Sequence, residues 1–166
     1  MSEPVLWQPA YVGLGSNLGD SRGVIRRASE ALGSFPDTRV IATSPHYRTV
    51  PFGPVEQGAF INAVAGVITQ HPPLDFLRAL RTLERQLGRA EGRVRWGPRE
   101  IDLDLLAYSD TILTTDELTL PHPGIPKRDF VLYPLRDIAP QLLIPMMGRA
   151  AELAARVADR GIERLD

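Results

Sequence analysis

The sequence predicts an α+β fold, a mainly antiparallel sheet with helices on its faces and long loops left over for function. Three observations point there. Strand-like and helix-like segments follow one another in the order β-α-β-β-α-β. The helical segments carry their apolar residues along one side, so each has one face to bury. Prolines and glycines cluster in two stretches, Tyr47 to Gly58 and Leu120 to Asp129, that read as long loops.

Taken in order, "AYVGLGS" (Ala10 to Ser16) reads as a first strand ending in a glycine-rich turn. "DSRGVIRRASEALGSF" follows with Val24, Ile25, Ala28 and Leu32 at helical spacing and Gly33 as a stop. "RVIATS" (Arg39 to Ser44) is β-branched and strand-like. Prolines and glycines in "YRTVPFGPVEQG" (Tyr47 to Gly58) predict a loop. "FINAVAGVIT" (Phe60 to Thr69) is the next strand. "PPLDFLRALRTLERQLG" is the clearest helix, with proline at its start, Leu74, Leu77, Leu80, Leu83 and Leu87 along one side, and Gly88 as cap. An arginine-rich loop leads into a strand at "EIDLDLLAY" (Glu100 to Tyr108), and the chain turns near Asp110 to return through "TILTT". "LPHPGIPKRD" (Leu120 to Asp129) reads as a second Pro-rich loop. "FVLYPLRDIAP" predicts a short helix broken near its prolines, and "AAELAARVADR" (Ala150 to Arg160) a closing amphipathic helix. The order suggests a sandwich of the ferredoxin-like kind.

At 166 residues the chain reads as one domain, with residues 1–9 as an N-terminal extension. A net charge of −1 provides no basic field for nucleic acid or an anionic membrane. Cysteine is absent, which excludes disulfides, thiolate metal sites and cysteine nucleophiles and suits a reducing compartment. "MSEPVLWQPA" lacks the basic-then-apolar pattern of a signal peptide, and no apolar run approaches membrane-spanning length. The expectation is a cytoplasmic protein. All but one of the 19 basic side chains are arginine, the exception being Lys127. Arginine at any single position therefore says little; only clustering does.

"GLGSNLG" imitates a dinucleotide-binding turn, but Leu18 stands where the third glycine belongs and no acidic residue closes a second strand. Tight passage beside another backbone is the plain structural reading of Gly13 and Gly15. The stronger signal is "IDLDL". Ile101, Leu103 and Leu105 alternate with Asp102 and Asp104, so one strand face is core and the other holds two carboxylates about 7 Å apart at Cα. Aspartate is a poor strand residue and like charges on one face repel. Either arginines flank a solvated face, or the face holds a hard cation. Arg89, Arg93, Arg95 and Arg99 lie just upstream in a loop broken by Gly92, Gly97 and Pro98. Carboxylates beside an arginine loop suit a Mg–nucleotide site, because Mg²⁺ takes one or two carboxylates plus phosphate oxygens and arginine forks match phosphate.

"YVGLGSNLGD", "YRTVPFGPVEQGAFINAV", "LGR…RWGPREIDLDLL" and "LPHPGIPKRDFVLYPL" together resemble the 6-hydroxymethyl-7,8-dihydropterin pyrophosphokinase family of folate biosynthesis. The likeness runs from about Tyr11 to Pro140. It implies a ferredoxin-like αβα sandwich and transfer of pyrophosphate from ATP to the pterin hydroxymethyl group, releasing AMP. It implies Asp102 and Asp104 as ligands of two Mg²⁺ ions, and Arg89 and Arg99 as loop arginines on the phosphates. Trp96 would close over the nucleotide, and Glu84, Thr119, His122 and Arg128 would hold ATP. On the pterin side it implies Thr49 and Asn62 as hydrogen-bonding groups, backbone around Val50 to Phe52, and Phe60 and Phe130 as a sandwich for the ring.

The residues support this unevenly. An amide at Asn62 offers both donor and acceptor, as a pterin edge needs, yet it is equally readable as a structural amide. Phe60 and Phe130 read alone as core. His122 sits between two prolines in a rigid loop, whereas His46 and His71 read as surface or structural. Glu91 stands where relatives often carry another arginine, for which Arg93 or Arg95 can substitute, and Arg81 is left unassigned. Nothing before Tyr11 or beyond Pro140 is diagnostic, and no residue stands out as a general base. An RNA-binding module would show aromatics on its central strands, where this chain shows acids. A sensor of the same fold would not need the D-x-D strand. Another Mg-dependent phosphotransferase is the nearest alternative. The expected partners are ATP and the pterin alone, without nucleic acid or membrane, and the expected state is a monomer.

Overall fold

A computed structural model describes residues 6–50, 58–88 and 100–166. The chain opens with β1 (Gln8–Ser16), α1 (Ser21–Gly33), β2 (Thr38–Thr43), β3 (Tyr47–Thr49), β4 (Phe60–Thr69) and α2 (Pro73–Gln86). It continues with β5 (Asp102–Tyr108), the small hairpin β6 (Leu113–Thr114) and β7 (Thr119–Leu120), a 3₁₀ turn (Ile125–Lys127) and α3 (Asp129–Ile138). A second small hairpin, β8 (Leu143–Ile144) and β9 (Gly148–Arg149), precedes α4 (Ala150–Arg156) and a last short strand, β10 (Glu163–Arg164). The main sheet runs β10-β3-β4-β1-β5, with β2 also paired to β4. Every pairing in it is antiparallel. The α+β sandwich read from the sequence is the architecture observed.

The helices form for local reasons. The Asp20 side chain caps α1 by accepting from the Gly23 N–H, and Pro73 opens α2 where its missing donor costs nothing. Leu77, Leu80 and Leu83 of the predicted stripe are buried, with Phe76 beside them and Leu74 and Leu87 at the margin. Together with Val24, Ile25, Ala28 and Leu32 of α1 they pack on one face of the sheet against Val12, Leu14, Ala63, Ala65 and Val67. A second core holds Val64 and Leu106 of the sheet with Val131, Leu132 and Leu135 of α3 and Leu153 of α4.

Several elements differ from the sequence reading. β1 begins at Gln8, so two residues of the expected extension pair with Thr69 and Ile68. The segment from Tyr47 is not all loop: Tyr47–Thr49 precedes the first proline and pairs with Phe60–Asn62. Pro134 sits inside α3 without ending it, and the helix stops at Ile138, two residues before Pro140. The last helix is shorter than expected. It ends at Arg156, and the following residues return to pair Glu163 and Arg164 with Arg48 and Tyr47.

Phe76 is fully buried, whereas Ile41 on β2 is 64% exposed. Phe76→Ala is expected to cost about 3–5 kcal/mol and Ile41→Ala no more than about 0.5 kcal/mol, read from urea midpoints at constant m-value.

Candidate active site

Strand register assembles the site. Asp102 lies opposite Gly15 on β1, Gly15 lies opposite Asn62 on β4, and Asn62 lies opposite Tyr47 on β3. One step along, Asp104 faces Gly13. Paired residues of antiparallel strands share a face, so two glycines on the central strand leave a trough between the carboxylates and the Asn62 amide. The trough is the floor of a cleft of about 240 Å³. Thr49, Val50, Phe60, Asn62, Asp102, Asp104, His122, Arg128 and Phe130 all line it.

The two glycines do different work. A Cβ on Gly15 would stand 2.7 Å from Asn62 Oδ1, so only glycine lets that amide lie where it does. On Gly13 the nearest atom would be 3.5 Å away on the Leu106 side chain, an ordinary contact. Tight passage beside another backbone therefore describes neither position, since in both cases the neighbour is a side chain. Asn62 donates through Nδ2 to Thr49 Oγ1 at 2.6 Å, and both residues are buried. Buried polar groups fixed in this way hold one orientation.

The acidic end is electrostatically uncomfortable. Burial first, and the Asp102 charge second, push the Asp104 carboxyl up to about 7, while Arg81 and Arg128 pull against them. His122 moves the other way. Burial, then the Arg128 charge, brings it down to about 4, so it is neutral near pH 7. Its Nδ1 accepts from the Gly124 N–H at 3.0 Å, which leaves the proton on Nε2. Arg128 passes so close to Gly124 that a Cβ there would stand 2.6 Å from its Nε. Its guanidinium lies 5.6 Å from the Phe130 ring centre.

Two predicted ATP residues do not line the cleft. Glu84 is buried in α2, where Oε2 accepts from the Leu103 N–H at 2.8 Å and Oε1 from Arg81 Nη1 at 2.9 Å. Arg81 Nη1 also donates to Leu103 O at 2.7 Å. β5 ends the sheet, so Arg81 and Glu84 together take the place of a neighbouring strand at the residue between the two aspartates. Thr119 sits in β7 opposite Thr114. Phe52, Arg89, Trp96 and Arg99 lie outside the described residues, as do Glu91, Arg93 and Arg95. The sequence reading missed Gly13, Leu14, Gly15, Ala63 and Val131 in the lining, and the role of Arg81. It also passed over Arg160, which reaches the cleft wall from the C-terminal segment.

Residues 11–140 match the model of the 7,8-dihydro-6-hydroxymethylpterin-pyrophosphokinase (HPPK) family. The chain belongs to the HPPK family. A Pseudomonas aeruginosa protein named 2-amino-4-hydroxy-6-hydroxymethyldihydropteridine pyrophosphokinase is 44% identical over 95% of this chain and 97% of its own length. Proteins of the same name from Methylorubrum extorquens and Haemophilus influenzae are 42% and 37% identical, each over 95% of this chain and 98% of their own. Among solved structures, wild-type Plasmodium falciparum HPPK-DHPS with pteroate aligns with a TM-score of 0.74 at 16% identity. This likeness of fold takes in 94% of this chain and 43% of the Plasmodium one, so this chain spans less than half of that chain.

The depressed His122 pKa has a thermodynamic consequence. The folded value lies below the unfolded one of about 6.5, so the stability tied to neutral His122 is complete above about pH 6.5 and is lost as pH falls toward about 4. By NMR the His122 ring is expected to titrate near pH 4. The stability advantage of wild type over His122→Asn should shrink between pH 6.5 and 4; an equal advantage at both ends would show an ordinary histidine.

Proposed function

We propose that this member of the HPPK family transfers pyrophosphate from ATP to the hydroxymethyl group of 6-hydroxymethyl-7,8-dihydropterin, giving the pterin diphosphate and AMP for folate biosynthesis, in a Mg²⁺-dependent reaction. The observation that carries the reading is one cleft with two carboxylates at one end and a fixed amide flanked by aromatic rings at the other. The names of the Pseudomonas and Methylorubrum relatives give the same activity for those proteins.

The donor set fits a hard divalent cation. Two carboxylates share a strand face, and burial, then the Asp102 charge, raises Asp104 there. Among the described residues no group of three or more His, Cys, Asp or Glu forms a cage. Mg²⁺ seldom uses such a cage and draws its other ligands from phosphate and water. Asp102 and Asp104 would hold two Mg²⁺ ions, which would neutralise phosphate charge when bound.

The chain's own groups divide the remaining work. Asn62 and Thr49 orient the flat pterin by its edge, and Phe60 and Phe130 hold its faces. The pterin hydroxyl oxygen bonds to the β-phosphorus as the bond from that phosphorus to the α-phosphate oxygen breaks. AMP leaves with the electron pair, and the hydroxyl proton passes to solvent. His122 offers an uncharged Nε2–H donor and Arg128 a cation to the phosphates, to which Arg89 and Arg99 add their charge and Trp96 a cover over the nucleotide. Glu84 contributes through β5, by accepting from the Leu103 N–H between the two aspartates, and Thr119, on β7, would meet ATP outside the cleft lining. A loose transition state needs positioning more than a general base. We place the enzyme in the cytoplasm as a monomer acting on these two small molecules.

With ATP, Mg²⁺ and the pterin, AMP is expected to accumulate in step with pterin diphosphate and to stop on adding EDTA; ADP as product would overturn the reading. Asp104→Ala should lower kcat on the order of a hundredfold or more with pterin affinity nearly unchanged. Gly15→Ala should displace Asn62 and raise the KM for pterin about tenfold while that for ATP holds. Equal changes in both KM values would contradict the assignment of Asn62.

A further inference from the structure

The C-terminal segment after α4 makes contacts that packing alone does not require. Asp159 Oδ1 accepts from the N–H groups of Gly161 and Ile162, forming a tight turn in which Gly161 has φ +88°. That turn directs Arg160 inward. Its backbone N–H donates to Asp129 Oδ2 at 3.0 Å, and its Nη2 to Asp129 Oδ1 at 3.2 Å and to Val50 O at 3.4 Å. The guanidinium also lies 5.8 Å from the Phe130 ring centre. Asp129 is 1% exposed, and its Oδ1 accepts from the Phe130 N–H at 2.8 Å as well.

One residue therefore joins three segments: Val50 just after β3, the first turn of α3 at Asp129 and Phe130, and the tail itself. Val50 and Phe130 both line the cleft. The tail is anchored beyond this point too. Glu163 and Arg164 pair with β3, Arg48 Nη1 bonds Glu163 at 3.0 Å, and Leu165 N–H donates to His46 O. Asp166 is ion-paired to Arg22. Arg160 is thus held from both sides while it holds the cleft wall.

We propose that Arg160 is a positioning residue for the heterocycle: with Asp129 it sets the spacing between the Val50 backbone and the Phe130 ring, and so the width of the slot for a flat aromatic substrate. This rests on the reading of that end of the cleft as the pterin site. A guanidinium suits the task because one nitrogen, Nη2, donates to the carboxylate and the carbonyl while the flat group lies 5.8 Å from the Phe130 ring centre. An ammonium can donate to both acceptors but has no flat face to lay on the ring. Removing Arg160 frees Val50 and Phe130 from each other but leaves the carboxylate end, on β5, untouched.

The test is full steady-state kinetics on the full-length chain with Arg160→Met and Arg160→Lys. Arg160→Met is expected to raise the KM for the pterin by about tenfold or more, while the KM for ATP stays within about twofold and kcat changes less than the pterin KM. Arg160→Lys should fall between it and wild type. Arg160→Met leaves the Asp129 carboxylate buried without this partner; if that variant does not fold, Arg160→Met combined with Asp129→Asn removes the charge, and the same split is expected. A pterin KM equal to wild type, or equal rises in both KM values, overturns the inference. Wild type is measured first for saturation by the pterin: failure there overturns the reading of the site itself, whereas saturation with no effect of Arg160→Met overturns only the role of Arg160.

Discussion

Two carboxylates on one face of an edge strand are the constraint around which this molecule is arranged. At an effective dielectric of about 20, unit charges about 7 Å apart repel by about 2 kcal/mol. Burial first, and this repulsion second, push the Asp104 carboxyl up to about 7. The fold holds the pair through the residue between them. Leu103 between them is bonded through both N–H and C=O to Glu84 and Arg81, so β5 cannot twist or slip to separate the charges. Arg81 and Arg128 draw the Asp104 pKa back down against burial and the Asp102 charge, and a carboxyl perturbed in this way inside a cleft marks a candidate functional site.

The opposite end of the cleft follows from the central strand. β1 gives the sheet glycines where its neighbours give Asp and Asn, and so turns a flat sheet face into a trough. Depth comes from α3, whose first turn brings Phe130 over the trough, and from the loop before it, where the proline-flanked His122 bonds back to Leu106 O. The Leu120–Pro121 peptide in that loop is cis. The carboxylate end and the amide end of the cleft thus meet across one glycine, Gly15, with Asp102 on its one side and Asn62 on its other.

Much of this was legible in the sequence, for physical reasons. The leucine stripe of α2 and the alternation in "IDLDL" are periodic signals set by local geometry, and both appear in the structure as read. Thr49, Phe60, Asn62, His122, Arg128 and Phe130 were reached through motif resemblance rather than through the residues themselves, since a lone asparagine or phenylalanine looks alike in a core and in a pocket. What could not be read depends on long-range contact. β3 exists because the tail and β4 flank it, Glu84 is buried because β5 needs an edge partner, and Arg160 bonds residues 31 and 110 positions away. Gly15 carried a local signal, a glycine at an alternate position of a strand, but its partner Asn62 is visible only in the register.

The most direct test of the account is an NMR titration of the Asp104 carboxyl carbon, first in the protein alone and then with Mg²⁺ and a non-hydrolysable ATP analogue. The account predicts a midpoint near pH 7 in the protein alone, falling well into the ordinary carboxylate range once cation and nucleotide are added. A midpoint already ordinary in the protein alone, and unmoved by Mg²⁺ and nucleotide, would mean that the aspartate pair is a solvated surface feature and not the charge centre of the site.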